Sequence, residues 1–309
     1  MDLGALVVPV LAAAVRAGTP VLYATLGEIF AERSGVLNLG VEGMMLVGAL
    51  VAFVVTHTTG SPWLGVSAAL LAGGLLSLIH GLLAITLRAN QVASGLALTI
   101  FGTGLSGFLG KRYIGVPAES FRPLPLPVLG ELPFVGPVLF RQDVLVYLTY
   151  LLVPLAAWML YRTRWGLNIR AVGEHPEAAD AMGVDVGRVR YACVTLGGML
   201  AGVGGAYLST AYTAMWIENM TAGRGWIAVA LVIFATWDPL RAMAGAYLFG
   251  GVNALQLHVQ AMGSTLPTYL LLMTPYLFTI VVLILATRET ARKRIGAPAA
   301  LSIPYTRSG

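Results

Sequence analysis

The sequence predicts an all-α fold, a polytopic bundle of transmembrane helices with about 8–10 hydrophobic segments and room for broken helices among them. Three observations predict it. Of 309 residues, 57% are hydrophobic and only 11% charged, whereas soluble domains carry about 25% charged residues. Apolar runs of roughly 17–25 residues recur along the chain, the length that crosses a bilayer as a helix. Lipid admits only helices and closed barrels, and these runs are too long for barrel strands. Third, basic residues cluster at the ends of alternate runs. Residues 1–294 read as one transmembrane domain, with a cytoplasmic loop at 162–190 and an external loop at 111–142. Residues 295–309 read as a disordered cytoplasmic tail.

Several function classes are set aside by composition. The net charge of +5 carries no interleaving of basic and aromatic residues, so nucleic acid is not expected. Cys193 stands alone and the four histidines are scattered, which leaves no disulfide and no metal site in prospect. No phosphate loop, zinc-binding His-Glu-x-x-His or Gly-x-Ser-x-Gly elbow occurs, so the chain should neither hydrolyse ATP nor act as an enzyme. Met1-Asp-Leu-Gly lacks the basic start of a signal peptide, and insertion is expected to use the spans.

In chain order, residues 3–27 read either as one tilted span holding Arg16 or as an interfacial helix and a half-span. The stretch from Gly35 to Gly43 has three glycines with Asn38 and Glu42, which suggests a helix break at membrane depth. There Asn38 and Glu42 would line a solute path or hold the break together. Met44–Thr56 and 63–87 are spans around an uncharged turn, and His80 reads as a satisfied polar contact. Asn90, Gln91 and Ser94 open a glycine-rich span at 91–110 and suit two-way hydrogen bonding with a sugar or base, or the end of a half-helix. Six prolines forbid a single helix over 111–142. Residues 143–161 and 191–211 are spans, the latter with Gly198 and Gly202 at a helix-contact spacing. Arg224 falls in an external segment. Residues 226–236 and 242–257 are spans joined through Asp238-Pro239, with Asn253 and Gln256 as polar sites in the second. The last span is 269–287. Thirteen Lys/Arg then lie on one side and five on the other, so the 162–190 loop and the C-terminus are cytoplasmic. A single broken span over 20–56 is the alternative and would put Arg16 inside.

The polar island at 171–187 reads as one short exposed helix on the cytoplasmic loop. Pro176 suits its first position, Glu174 and Glu177 meet the positive end of its dipole, and Gly183 ends it. Ala178, Ala179 and Ala181 keep it slim. The residues read as a connector or as a docking helix.

The run Glu174-His175-Pro176-Glu177-Ala178-Ala179-Asp180-Ala181-Met182-Gly183-Val184 resembles the coupling helix of ABC-transporter permeases that import branched-chain amino acids, simple sugars and nucleosides. Glu32–Gly43 and Asn90–Thr99 are similar to the nucleoside and simple-sugar branch. The resemblance implies a permease subunit of an ATP-driven importer in the bacterial inner membrane, working by alternating access on nucleosides or simple sugars. It implies a cytoplasmic ABC ATPase dimer that holds ATP and Mg, a second permease subunit and an extracytoplasmic substrate-binding protein, with no cofactor in this chain. Glu174, His175, Pro176, Glu177, Ala178, Ala179, Met182 and Gly183 would then contact the ATPase. A stand-alone secondary transporter is the alternative, with Glu42 its best candidate for an ion site.

Overall fold

The computed structural model describes residues 3–262, 267, 270–271, 273–281, 284 and 297–306. Eleven α-helices are named within them. They are α1 (Leu3–Arg33), α2 (Val41–Thr59), α3 (Pro62–Gly81), α4 (Gln91–Gly110), α5 (Val135–Leu139), α6 (Val144–Arg162), α7 (Arg164–Glu174), α8 (Pro176–Ala181), α9 (Val186–Tyr207), α10 (Arg224–Phe234) and α11 (Pro239–Ala261). Wider π turns extend α3 to Thr86 and α9 to Tyr212. Six helices are long and apolar enough to cross a membrane. Among the described residues there are no strands, only two isolated bridges between the 111–142 region and Met215–Trp216.

Helix α9 runs through the centre against α1, α2 and α3. Glycines permit this. A Cβ on Gly198 would strike Ser77 and the carbonyl of Gly73, and one on Gly202 would strike the carbonyl of Ala69, so the Gly-xxx-Gly spacing does face a partner helix. Gly27 and Gly197 meet in the same way between α1 and α9. Helix α1 also lies along α11, where Gly18 and Gly250 let the backbones approach.

The structure decides one open alternative and corrects other expectations. Residues 3–33 form one continuous helix, because Pro20 and Arg16 are accommodated and Arg16 donates to Gln142 Oε1 at 2.9 Å. The single broken span over 20–56 is excluded, since α1 ends at Arg33 and α2 starts afresh at Val41. The expected span at 226–236 is the 11-residue α10, only about 16 Å long at 1.5 Å per residue and half of a ~30 Å hydrocarbon core. Residues 297–306 are placed against the bundle rather than disordered; Pro298 and Ala300 are buried there. Residues 273–281 are helical, while most of the remaining 269–287 span and the basic run at 288–294 lie outside the described residues.

The bundle has two ends. At one, α7, α8 and the start of α9 gather on the C-terminus of α1, where Gly173 meets the carbonyl of Arg33. At the other, His57 contacts Pro117 O and Phe121 N donates to Thr210 O. Gly198→Val should lower stability by about 1–3 kcal/mol through overpacking of the α3–α9 contact. Thermal unfolding in detergent reads this, and an unchanged midpoint would contradict that contact.

Candidate functional site

Between α1 and α2 the chain turns back into the bundle as residues 34–40; Ser34, Gly35 and Val36 still donate to carbonyls of the last turn of α1, and residues 37–40 are not helical. Lipid offers no partner for such backbone, and each orphan group there costs several kcal/mol. Side chains supply the partners instead. Leu37 N donates to Gln91 Oε1 at 2.8 Å, Asn38 N to Glu28 Oε1 at 2.8 Å and Gly40 N to Asn38 Oδ1 at 3.0 Å. Leu39 O accepts from Thr99 Oγ1 at 2.9 Å. His80 bridges two sides of the break, with Nε2 3.0 Å from Leu37 O and Nδ1 3.0 Å from Ser94 Oγ. Asn38, Glu42, Gln91 and Ser94 are therefore brought together, all buried, around this segment. Of the two roles open to Asn38, the geometry matches holding the break, whereas Glu42 turns its carboxylate to residues 221–225 instead. Asn90 stands apart, exposed, as the N-cap of α4, accepting from Ala93 N at 3.0 Å.

Glu42, in the first turn of α2, uses both carboxylate oxygens on a distant segment. Its Oε1 accepts from Thr221 Oγ1 at 2.6 Å and Gly223 N at 2.8 Å, and its Oε2 accepts from Gly225 N at 2.6 Å. These donors form the N-terminal end of α10, where free N–H groups and the helix dipole favour a carboxylate. The glycines are required. Gly223 sits at φ +82°, and a Cβ on Gly225 would collide with the backbone of Glu42. At the far end of α10, Trp237 Nε1 donates to Glu32 Oε2 at 2.6 Å, and Arg33 reaches the carbonyls of Thr236 and Trp237. The half-helix is thus pinned at both ends by carboxylates of α1 and α2. Its start lies halfway along the bundle, one α10 length from the α8 end. Glu28, Glu32 and Thr221 were not picked out as site residues from sequence; the i, i+4 spacing of the two glutamates in an apolar helix was the available signal.

Arg224 opens α10 at this depth, not in an external segment, because the chain from Tyr212 dips into the bundle before α10 begins. Its Nη1 donates to the carbonyls of Met220 and Thr221 at 3.1 Å, and its buried Nε has no partner among the described residues. Arg224 lines a cavity of about 260 Å³ together with Asn253, Gln256, Tyr212 and Tyr276. A second cavity of about 220 Å³, with Arg16 and His258, shares Tyr212 and Leu257 with the first. Asn253 and Gln256 therefore face open space, unlike the residues around 34–40.

The 162–190 loop contains two helices, not one. Thr163 caps α7 by accepting from Gly166 N at 3.1 Å, and Ile169 and Val172 face inward at helical spacing, a signal the sequence held unread. The chain breaks at His175, Pro176 starts α8, and Gly183 terminates it at φ +84°. Glu174 closes α7 rather than opening the next helix, so only Glu177 meets the α8 dipole. Ala179 is the seat, buried against Val172 and Val186. Ala178, Ala181 and Met182 point outward, with Met182 85% exposed.

Replacing Glu42 with Gln keeps its shape but turns an amide N–H₂ toward backbone donors. The loss expected is about 1.5–3 kcal/mol, the range for hydrogen bonds to a charged group. Thermal unfolding and faster amide exchange over 221–226 would register it; wild-type exchange there would show that the carboxylate is dispensable.

The branched-chain amino acid transport system / permease component family matches residues 10–287. The chain is 46% identical to the protein named "Putative glucose ABC transporter permease protein TsgC13" of Haloferax volcanii, over 96% of each chain. It is 36% identical to the guanosine ABC transporter permease protein NupQ of Bacillus subtilis, over 93% of this chain and 92% of that one. It is 35% identical to the nucleoside ABC transporter permease protein NupC of Lactococcus lactis, over 94% of each. No solved structure matches. With six apolar spans and this match over most of its length, the chain is a multi-pass membrane protein that belongs to the branched-chain amino acid transport system permease family.

Proposed function

We propose that this chain is the permease subunit of an ATP-driven ABC importer for nucleosides or simple sugars, working by alternating access. The observation that carries the coupling role is α8: a short helix stopped by Gly183, seated through Ala179 and presenting Ala178, Ala181 and Met182 outward between the spans α6 and α9. A cytoplasmic ABC ATPase dimer would hold α8, and ATP with Mg would bind there, not on this chain. Closure of that dimer would move α8 with α7, and α6 and α9 would reorient with them. Arg162, Arg164, Arg170, Arg188 and Arg190 border this end, which supports a cytoplasmic placement in a bacterial inner membrane. Residues 297–306 lie at the same end, consistent with a cytoplasmic C-terminus.

The solute path is assigned to the two joined cavities. Their amides, Arg224 and tyrosines offer both donors and acceptors, which suits hydroxyls and nucleobase edges, and a tyrosine face can cover a sugar or base. An extracytoplasmic binding protein would deliver solute at the 111–142 end and set most of the selectivity. A second permease subunit would complete the path.

Two measurements test this. Purification in mild detergent from native membrane, followed by mass spectrometry, should recover an ATPase in stoichiometric amount. Gly183→Pro or Ala178→Trp should abolish uptake while the chain remains inserted. A chain that purifies alone and moves glucose or guanosine into vesicles without ATP would replace this reading with a secondary transporter. Separately, Asn253→Ala and Gln256→Ala should cut uptake without loss of ATPase from the complex; wild-type uptake in the double variant would remove the cavity from the path.

A further inference from the structure

Four segments from distant parts of the chain meet at the α8 end, and residues 297–306 touch all of them. Ala300 N donates to Gly173 O at 2.9 Å, at the end of α7. Ala299 N donates to Glu174 Oε2 at 3.3 Å. Ser302 N donates to Gly35 O at 3.2 Å, where the chain leaves α1. Tyr305 lies against the apolar cluster of Val172, Ala179 and Val186 that seats α8.

Arg190 ties the set together. It is only 2% exposed, yet its hydrogen bonds go to main-chain carbonyls: Nε to Ser34 O at 3.2 Å and Nη1 to Ile303 O at 3.2 Å. A buried cation at the C-terminal end of α1 is favoured by the helix dipole. It also makes the tail carbonyl hard to give up, because a buried charge that loses an acceptor is left unsolvated. Backbone shape agrees. Gly35 adopts φ +90°, and a Cβ there would stand 2.9 Å from Arg190 Nη2 and 3.1 Å from Ala300 O. On Gly173, a Cβ would meet Arg33 O and Pro298.

We propose that residues 297–306 are a strap that clamps the α7–α8 pair to the end of α1, and that it is part of the coupling machinery. A push on α8 then reaches Gly35 and residues 34–40, which hand it to Glu42 and α10 beside the cavities. Without the strap, the direct packing of α7 on α1 is reduced to the contact of Gly173 with Arg33. This inference rests on the coupling role proposed for α8.

The test compares three changes in the complete complex: truncation after Gly296, Ala300→Glu at a buried strap position, and Ala178→Trp on the exposed face of α8. Each complex is reconstituted in vesicles, and uptake of labelled glucose or guanosine is measured per ATP hydrolysed. Truncation and Ala300→Glu should retain the ATPase and its hydrolysis, while solute moved per ATP falls on the order of ten-fold, a typical size for coupling between sites. If the truncated chain does not assemble, Tyr305→Ala takes its place beside Ala300→Glu. An unchanged ratio in the strap variants, with Ala178→Trp still uncoupled, overturns the strap alone. An unchanged ratio in all of them overturns the coupling role of α8 and the strap with it.

Discussion

Backbone polar groups inside a bilayer must find partners within the protein, and at the start of α10 Glu42 is that partner. One carboxylate satisfies Thr221, Gly223 and Gly225 at the start of α10 while standing in the first turn of α2. Both helices begin deep in the bundle and both direct their positive ends there. Without an acceptor at this place, the descent from Tyr212 to Arg224 would leave the N–H groups of Gly223 and Gly225 without their partner. The half-length of α10 has a direct consequence. It fills only the half of its column nearer α8, and the polar cavities lined by Arg224, Asn253 and Gln256 occupy space beside its start.

Glu28, Glu32 and His80 repeat the same logic on a smaller scale. Each takes up a backbone or indole donor, or a carbonyl, from a segment that is not helical. The result is a rigid framework in which the irregular parts, residues 34–40 and the two ends of α10, are tied to the long helices. Close glycine contacts between α9 and its neighbours add to that rigidity, since densely packed backbones move as units. A lever at one end can act on such a framework only through a few connections. The α7–α8 pair, the end of α1 and residues 297–306 converge at one end of the bundle.

The similarity to named sugar and nucleoside permeases extends over nearly the whole chain, so it covers the irregular segments as well as the spans. Asn253 and Gln256 differ in kind from Asn38 and Gln91. The first pair faces a cavity; the second has its hydrogen-bonding capacity engaged by the 34–40 segment or buried beside it. Residues of the same chemical type thus divide between a framework and a candidate path.

The sequence by itself determined the helical class, the approximate positions of α2, α3, α4, α6, α9 and α11, a break within 35–43, the helix-contact spacing of Gly198 and Gly202 though not its partner, and α8 with its Pro176 start and Gly183 stop. Those are local properties: apolar run length, glycine and proline conformation, and end-capping act within a few residues. Tertiary structure alone decided that α1 continues through Pro20, that 226–236 is a half-helix, that Arg224 lies at depth, and that the tail is ordered against Gly35, Gly173 and Arg190. Each depends on a partner supplied from far along the chain, as Glu42 serves Gly225 and Arg190 serves Ile303. Hydropathy counts apolar residues and is blind to where a distant carboxylate or guanidinium will end up.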